Sequence, residues 1–112
     1  MGTYRMFCDD NDKAQWEAID LANVPDWVKG LDATKIRFGV RPTGETQDWH
    51  PAPQRQFVII LSGHLQIGFE DGSTHVWGPG DARLMEDLTG KGHTTTAIGD
   101  DRLQMQARGY VT

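Results

Sequence analysis

The sequence predicts an all-β domain closed as a small barrel. Three observations carry that expectation. Thirteen glycines and five prolines punctuate the chain. The apolar runs between them recur at roughly the 8 to 12 residue spacing of sandwiches and barrels. Several of those runs alternate with the period of two that a half-buried strand requires. The 112 residues form one expected domain, spanning 1–112, and a chain of that size buries roughly two thirds of its unfolded surface without staples. It shows no internal repeat, linker or low-complexity segment.

Residues 3–8 and 15–21 read as a first hairpin across the polar turn DDNDKA, with Tyr4, Met6, Trp16, Ala18 and Leu21 as candidate buried positions. In NVPDWVKG, Pro25 suits a first helical position and Gly30 the residue after a helix end, so a short helical turn is expected there, with Trp27 against one end of the barrel. Ile36, Phe38 and Val40 alternate with Arg37, Gly39 and Arg41 before Pro42 and Gly44, which reads as a half-buried strand with one polar face. Residues 56–61 are apolar on both faces, the pattern of a central covered strand. Leu65, Ile67 and Phe69 then alternate with His64, Gln66 and Gly68, and Asp71 with Gly72 is expected to supply the positive-φ pair of a tight hairpin into STHVW. After the turn Gly78-Pro79-Gly80, Ala82, Leu84 and Glu86 share one face of a strand. The loop LTGKG delivers His93 to HTTTAI, and a last strand over 102–111 follows the turn GDD.

Sixteen acidic residues against eleven Lys and Arg, a net charge of −5, argue against a nucleic-acid backbone as partner. No apolar run approaches the ~20 residues of a membrane helix and the N-terminus lacks a secretory core, so a cytoplasmic protein without a membrane partner is expected. The lone Cys8 cannot form an internal disulfide, has no CxxC partner and reads as a small residue of the first strand. There is no Gly-x-Ser-x-Gly elbow, and the runs GPGD and TGKGH lack the strand-to-helix context of a phosphate loop.

The chemistry concentrates in DWHPAPQRQFVIILSG and GPGDARLMEDLTGKGH. If residues 50–56 are extended, His50, Ala52, Gln54 and Gln56 project to one side, while His93, Thr95 and Ala97 share a face of the returning strand. Two imidazoles with an amide or carboxylate oxygen make a possible site for a transition metal. With Glu86 turned toward the rings, the set becomes the two-histidine, one-carboxylate pattern of non-haem iron. Glu86 and Asp87 are adjacent, so on a strand one at most enters the barrel. Arg37, Arg41 and Arg55 read either as clamps for an anionic substrate or as solvated edge charges. His64 and His75 read as solvent-side, and Trp49 and Trp77 as residues of a pocket mouth or of packing.

These two segments resemble the motifs of a small single-domain cupin of the RmlC-like, conserved-barrel type. His50 takes the first histidine place of the first motif, Ala52 the second, Gln56 the glutamate place and Gly63 the glycine. Gly80 and Asp81, then Gly90 or Gly92, then His93 resemble the second motif, with a longer loop and with Glu86 and Asp87 where a proline is common. The resemblance covers about residues 34–108. It implies a double-stranded β-helix, or jelly-roll, barrel with an added N-terminal hairpin. It also implies a divalent transition metal (Fe, Mn, Ni or Zn) on His50, Gln56, Glu86 and His93, and a small polar molecule near Gln54 and Trp49. Two functions are compatible with it: a metal-dependent enzyme of oxygenase or isomerase type, and a metal-free small-molecule-binding module. Small cupins commonly pair, so a homodimer formed through sheet edges or the Trp16 hairpin is expected.

Overall fold

The computed structural model describes residues 1–99 and 103–112. Among the described residues, ten strands form two sheets, and the order of strands explains how distant segments meet. The larger sheet runs β2 (Ala14–Ala18), β1 (Thr3–Cys8), β8 (Ala82–Met85), β5 (Gln56–Ser62), β10 (Leu103–Val111) and β3 (Ala33–Pro42). The smaller runs β4 (Thr46–His50), β9 (His93–Ile98), β6 (His64–Gly68) and β7 (Thr74–Trp77). The expected turn at residues 100 and 101 and the expected strand start at Arg102 lie outside the described residues.

The N-terminal hairpin forms because Asp9 organises its turn: the carboxylate accepts from the backbone N–H of Asn11 and Lys13, and Asp12 takes a left-handed φ of 61°. The hairpin is part of the large sheet, since β1 pairs in parallel with β8. The core therefore extends past the span 34–108 to include Met6 and Ala14. Of the other positions proposed there, Tyr4 packs against the core, while Trp16, Ala18 and Leu21 are exposed. Trp16 caps one end of the barrel, with rings of Tyr4, Trp77 and His75 around it. His75 thus lies half-buried among aromatic rings, where the sequence suggested a solvent position.

Helix α1 (Pro25–Lys29) has Pro25 in its first turn and ends at Gly30 with φ 115°, as expected. It sets Trp27 edge-on against Phe57 at 4.9 Å on the outer face of the large sheet. The hairpin after β6 differs from expectation in detail. Gly72 has φ 88° but Asp71 does not enter positive φ, and its carboxylate accepts from Ser73 N–H and hydroxyl instead. At the turn between β5 and β6, Gly63 has φ 72°, and a side chain there would strike the backbone of Gln104. The tight turn and the close approach of β10 both require glycine.

Between the sheets lie Val58, Ile60, Leu65, Ile67, Trp77 and Ala97 with Met6 and Met85. Burying each of the larger aliphatic side chains contributes about 2 kcal/mol.

Two strands present the face opposite to expectation. On β3, Ile36, Phe38 and Val40 point outward and are 70%, 71% and 62% exposed, while the row Arg37, Gly39, Arg41 faces the barrel. On β8, Ala82, Leu84 and Glu86 share a face as expected, but it is the outer one; Arg83, Met85 and Asp87 are buried inside. The physical reason is register. β8 pairs with β5 so that Arg83 lies opposite Val58 and Met85 opposite Gln56, both inward residues, and a period of two turns every other side chain with them. Leu84 is still buried, beside Phe57 on the outer face where Trp27 packs. β5 is central, yet Ile59 and Leu61 on its outer face are exposed because α1 covers only Phe57.

Candidate functional site

The site is assembled where β4 ends and β9 begins. His50 and His93 are register partners across that antiparallel pair, and their ring centroids are 4.6 Å apart. The loop before β9 can come this close only because residue 92 is glycine. Gly92 has φ 81°, and a Cβ there would collide with the carbonyl of His50 and the nitrogen of Pro51. Chain segments forty residues apart in sequence thus meet through their backbones before their side chains do.

Each imidazole is oriented by a second group. Nδ1–H of His93 donates to Asp87 Oδ2 at 2.6 Å, both side chains being essentially inaccessible. Nδ1 of His50 lies 2.7 Å from the Asp48 carbonyl, which only accepts, so that nitrogen carries the proton. In each ring Nδ1 is occupied, so Nε2 is the nitrogen left for another partner. Burial lowers the His50 pKa below its ordinary 6.5, and the charges of His93 and Arg41 add to this against the opposing carbonyl bond.

The two rings line a small cavity of about 30 Å³ together with Gln56, Arg41, Arg83, Gln106 and Arg108. It shares Arg41, Gln106 and Arg108 with an adjoining groove of about 410 Å³ that extends past Arg37 and Gln47. Arg83 is only 4% exposed and lies over the Trp77 ring at 5.0 Å. Burial is the main influence on its pKa, pulled down to about 10, with Asp87 opposing and Arg108 and Arg41 reinforcing. The Gln106 amide oxygen accepts from Nε and Nη2 of Arg108, and Arg41 Nη1 donates to Gln47.

The residues singled out from sequence separate accordingly. His50, Gln56 and His93 come together. Gln56 is buried, and its Oε1 has no hydrogen-bond partner among the described residues. Residues 51–55 form no strand, so the projected row is broken: Ala52 enters the cavity wall and Gln54 is exposed. Glu86 is turned the other way, its carboxylate accepting from Nε of Arg5 at 2.6 Å and Nε of Arg55 at 2.7 Å. Burial pushes its pKa up, but the bonds and charges of the two arginines outweigh that and hold it below the ordinary 4.5. Arg55 is engaged there and is no clamp of the cavity. Trp49 is half-buried under Lys91, 4.3 Å from the ring centroid, and Trp77 belongs to the core. Sequence reasoning missed Asp87, Arg83 and Arg108. Asp87 was discoverable as the partner of Glu86 on the opposite face, and Arg83 as the residue between Ala82 and Leu84, had the inner face been assigned correctly.

The donor atoms on offer, His50 Nε2, His93 Nε2 and Gln56 Oε1, carry no negative charge, Asp87 is engaged by His93, and three guanidinium groups line the same cavity. Among the described residues no three His, Cys, Asp or Glu side chains are grouped to hold an ion. That set fits a lone dication poorly, because no ligating atom offsets its charge.

No family model and no curated protein matches the chain. Solved structures do. It is similar to an RmlC-like cupin family protein with a double-stranded β-helix fold from Methanocaldococcus jannaschii, at 17% identity and TM-score 0.53 over 68% of this chain and 67% of that one. It is similar to a cupin-2 domain containing protein from Shewanella frigidimarina, at 18% identity and TM-score 0.51 over 72% and 74%. It also resembles the polyketide cyclase RemF from Streptomyces resistomycificus, at 17% identity and TM-score 0.55 over 77% of this chain and 59% of that one. The fold is therefore the double-stranded β-helix of the RmlC-like cupins.

Proposed function

We propose that this chain is a small-molecule-binding cupin that receives a polar ligand inside the barrel without a resident metal. The observation that carries this reading is the charge inventory of the cavity: Arg41, Arg83 and Arg108 line it, no carboxylate does among the described residues, and the nearby Asp87 is already bonded to His93. In this reading Gln56, His50 and His93 supply hydrogen bonds to the ligand, with Asp87 holding the His93 ring in place through its Nδ1. The test is elemental analysis of untagged protein followed by metal titration and melting with and without chelator. The expected result is a strongly sub-stoichiometric metal content and a Tm indifferent to chelator. Near-stoichiometric metal, with a chelator-dependent fall in Tm that is lost in His50→Ala and His93→Ala, overturns it.

That overturning result would favour the second reading, a metal-dependent enzyme. One observation supports it: both Nε2 atoms and the unpartnered Gln56 Oε1 converge on one cavity.

We also infer a homodimer. The apolar row Ile36, Phe38 and Val40 stands exposed on the edge strand β3, continuous with Met105 and Ile59 on the neighbouring strands. Contiguous apolar faces of this kind mark interaction sites. Sedimentation measures it directly, and a monomer at all concentrations up to the limit of solubility rejects it.

A further inference from the structure

We propose that the cavity is a carboxylate site: the ligand is a small organic acid whose carboxylate seats on Arg83, with Arg41 and Arg108 at the entrance and the two imidazoles opposite. This deepens the ligand-binding reading above and rests on it for the presence of a ligand in the barrel, but not on the absence of metal.

The central observation is a cation without a counter-ion. Arg83 is 4% exposed, and its Nε and Nη1 have no hydrogen-bond partner among the described residues. Removing a guanidinium from water without pairing it is costly, and a buried donor left bare forfeits its hydrogen bond as well. The obvious internal partner is taken, since Asp87 accepts from His93. The neighbouring charges make matters worse, because Arg41 and Arg108 line the same cavity and Arg41 Nε is also buried without a partner. An anion entering the cavity relieves all of these at once. A planar carboxylate matches the fork of a guanidinium, and Trp77 against the face of Arg83 fixes the orientation of that fork.

Size and the remaining bare atoms narrow the class. The enclosed volume of about 30 Å³ exceeds the roughly 10–15 Å³ that holds one water. It suits a three-atom carboxylate head and is tight for a five-atom phosphate. The body of the ligand then extends into the groove of about 410 Å³ bounded by Arg41, Gln106 and Arg108. Gln56 Oε1, a buried acceptor of the cavity wall without a donor among the described residues, suits a hydroxyl on the ligand. A hydroxycarboxylate satisfies both halves of the wall.

The experiment is a thermal-shift titration in chelator-containing buffer at constant ionic strength, with acetate, glycolate, acetamide, inorganic phosphate and a chloride control as probes. Acetate and glycolate are expected to raise Tm saturably, glycolate at the lower concentration, while acetamide and chloride do not. Arg83→Met is expected to remove the shift. Arg108→Gln, a half-buried position that spares the fold, is expected to raise the half-saturating concentration about tenfold. Carboxylate shifts that appear only when metal is restored support the carboxylate site and overturn the metal-free reading. Equal response to acetamide, response to phosphate alone, or an unchanged glycolate midpoint in Arg108→Gln overturns the carboxylate site and leaves the ligand-binding reading standing. No response to any probe overturns the site as well.

Discussion

The inner and outer faces of the large sheet make an instructive contrast along β3, β10 and β8. Inside stand Arg41, Arg83, Arg108, Gln104 and Gln106; outside stand Ile36, Phe38, Val40, Met105 and Leu84. A barrel stabilised only by its interior would reverse that arrangement, since apolar burial is the main driving force and buried charge opposes folding. At the other end of the same barrel the usual order holds, with Met6, Leu65, Ile67, Ile60 and Trp77 packed between the sheets. The fold is therefore anchored at one end and held open to polar chemistry at the other. Stability surrendered by the inverted half is the expected mark of a site.

Five substitutions break or sharpen this contrast. Gly92→Ala strikes the inner side hardest, because it combines an unfavourable φ with a clash against the His50 backbone; a loss of about 3 kcal/mol or more is expected in urea denaturation. Gly72→Ala is the control, with φ 88° but open space around it, and costs about 1 kcal/mol. If both cost the same, backbone contact at Gly92 is not what holds the two histidines together. On the outer face, Phe38→Lys is expected to weaken self-association about 100-fold, read from sedimentation across a concentration series. An unchanged association constant would move the interface elsewhere.

Smaller effects follow. Arg83→Met replaces an uncompensated buried cation with an apolar chain and is expected to stabilise the protein by about 1 kcal/mol, on the order of 5 °C in Tm. A fall in Tm would show that Arg83 is a structural member of the interior rather than a group waiting for a ligand. The Arg5–Glu86–Arg55 bridge on the outer side gives the smallest change. Because its bonds hold the Glu86 pKa below 4.5, its stabilisation is present above pH 4.5 and is lost as the pH falls through the depressed value. Glu86→Gln should cost about 0.5–1 kcal/mol at pH 7. The melting curves of parent and variant should converge as the pH falls, and a gap that does not narrow in acid would refute the assignment.

Most strands were readable from the sequence because their signals are local. Glycine and proline mark the turns, and Leu65, Ile67 and Phe69 alternate cleanly against polar neighbours. The helical turn at Pro25 and the approach of His50 to His93 were likewise within reach, since the motif order specifies which strands return to each other. What could not be read was which side of β3 and β8 faces inward. Period-two alternation defines two faces without labelling them. The usual label, apolar for inside, fails where Leu84 is buried beside Phe57 on the outer face and arginines line a cavity. The same inversion hid Arg83 and Asp87 and sent Glu86 to a pair of arginines. Gln54 failed for a different reason, because Pro51 and Pro53 interrupt the extended run on which its direction depended.

The parallel register of β1 on β8, with Thr3 beside Ala82 and Met6 beside Met85, has a practical corollary. Strands zipped side by side in one direction resist a pull along their length by loading all their bonds together. A probe or tether attached ahead of Gly2 would therefore transmit its load to the segment bearing Arg83. Fusion partners are better placed at the other terminus, and a force or label applied at the first would report mechanically on whether the barrel is occupied.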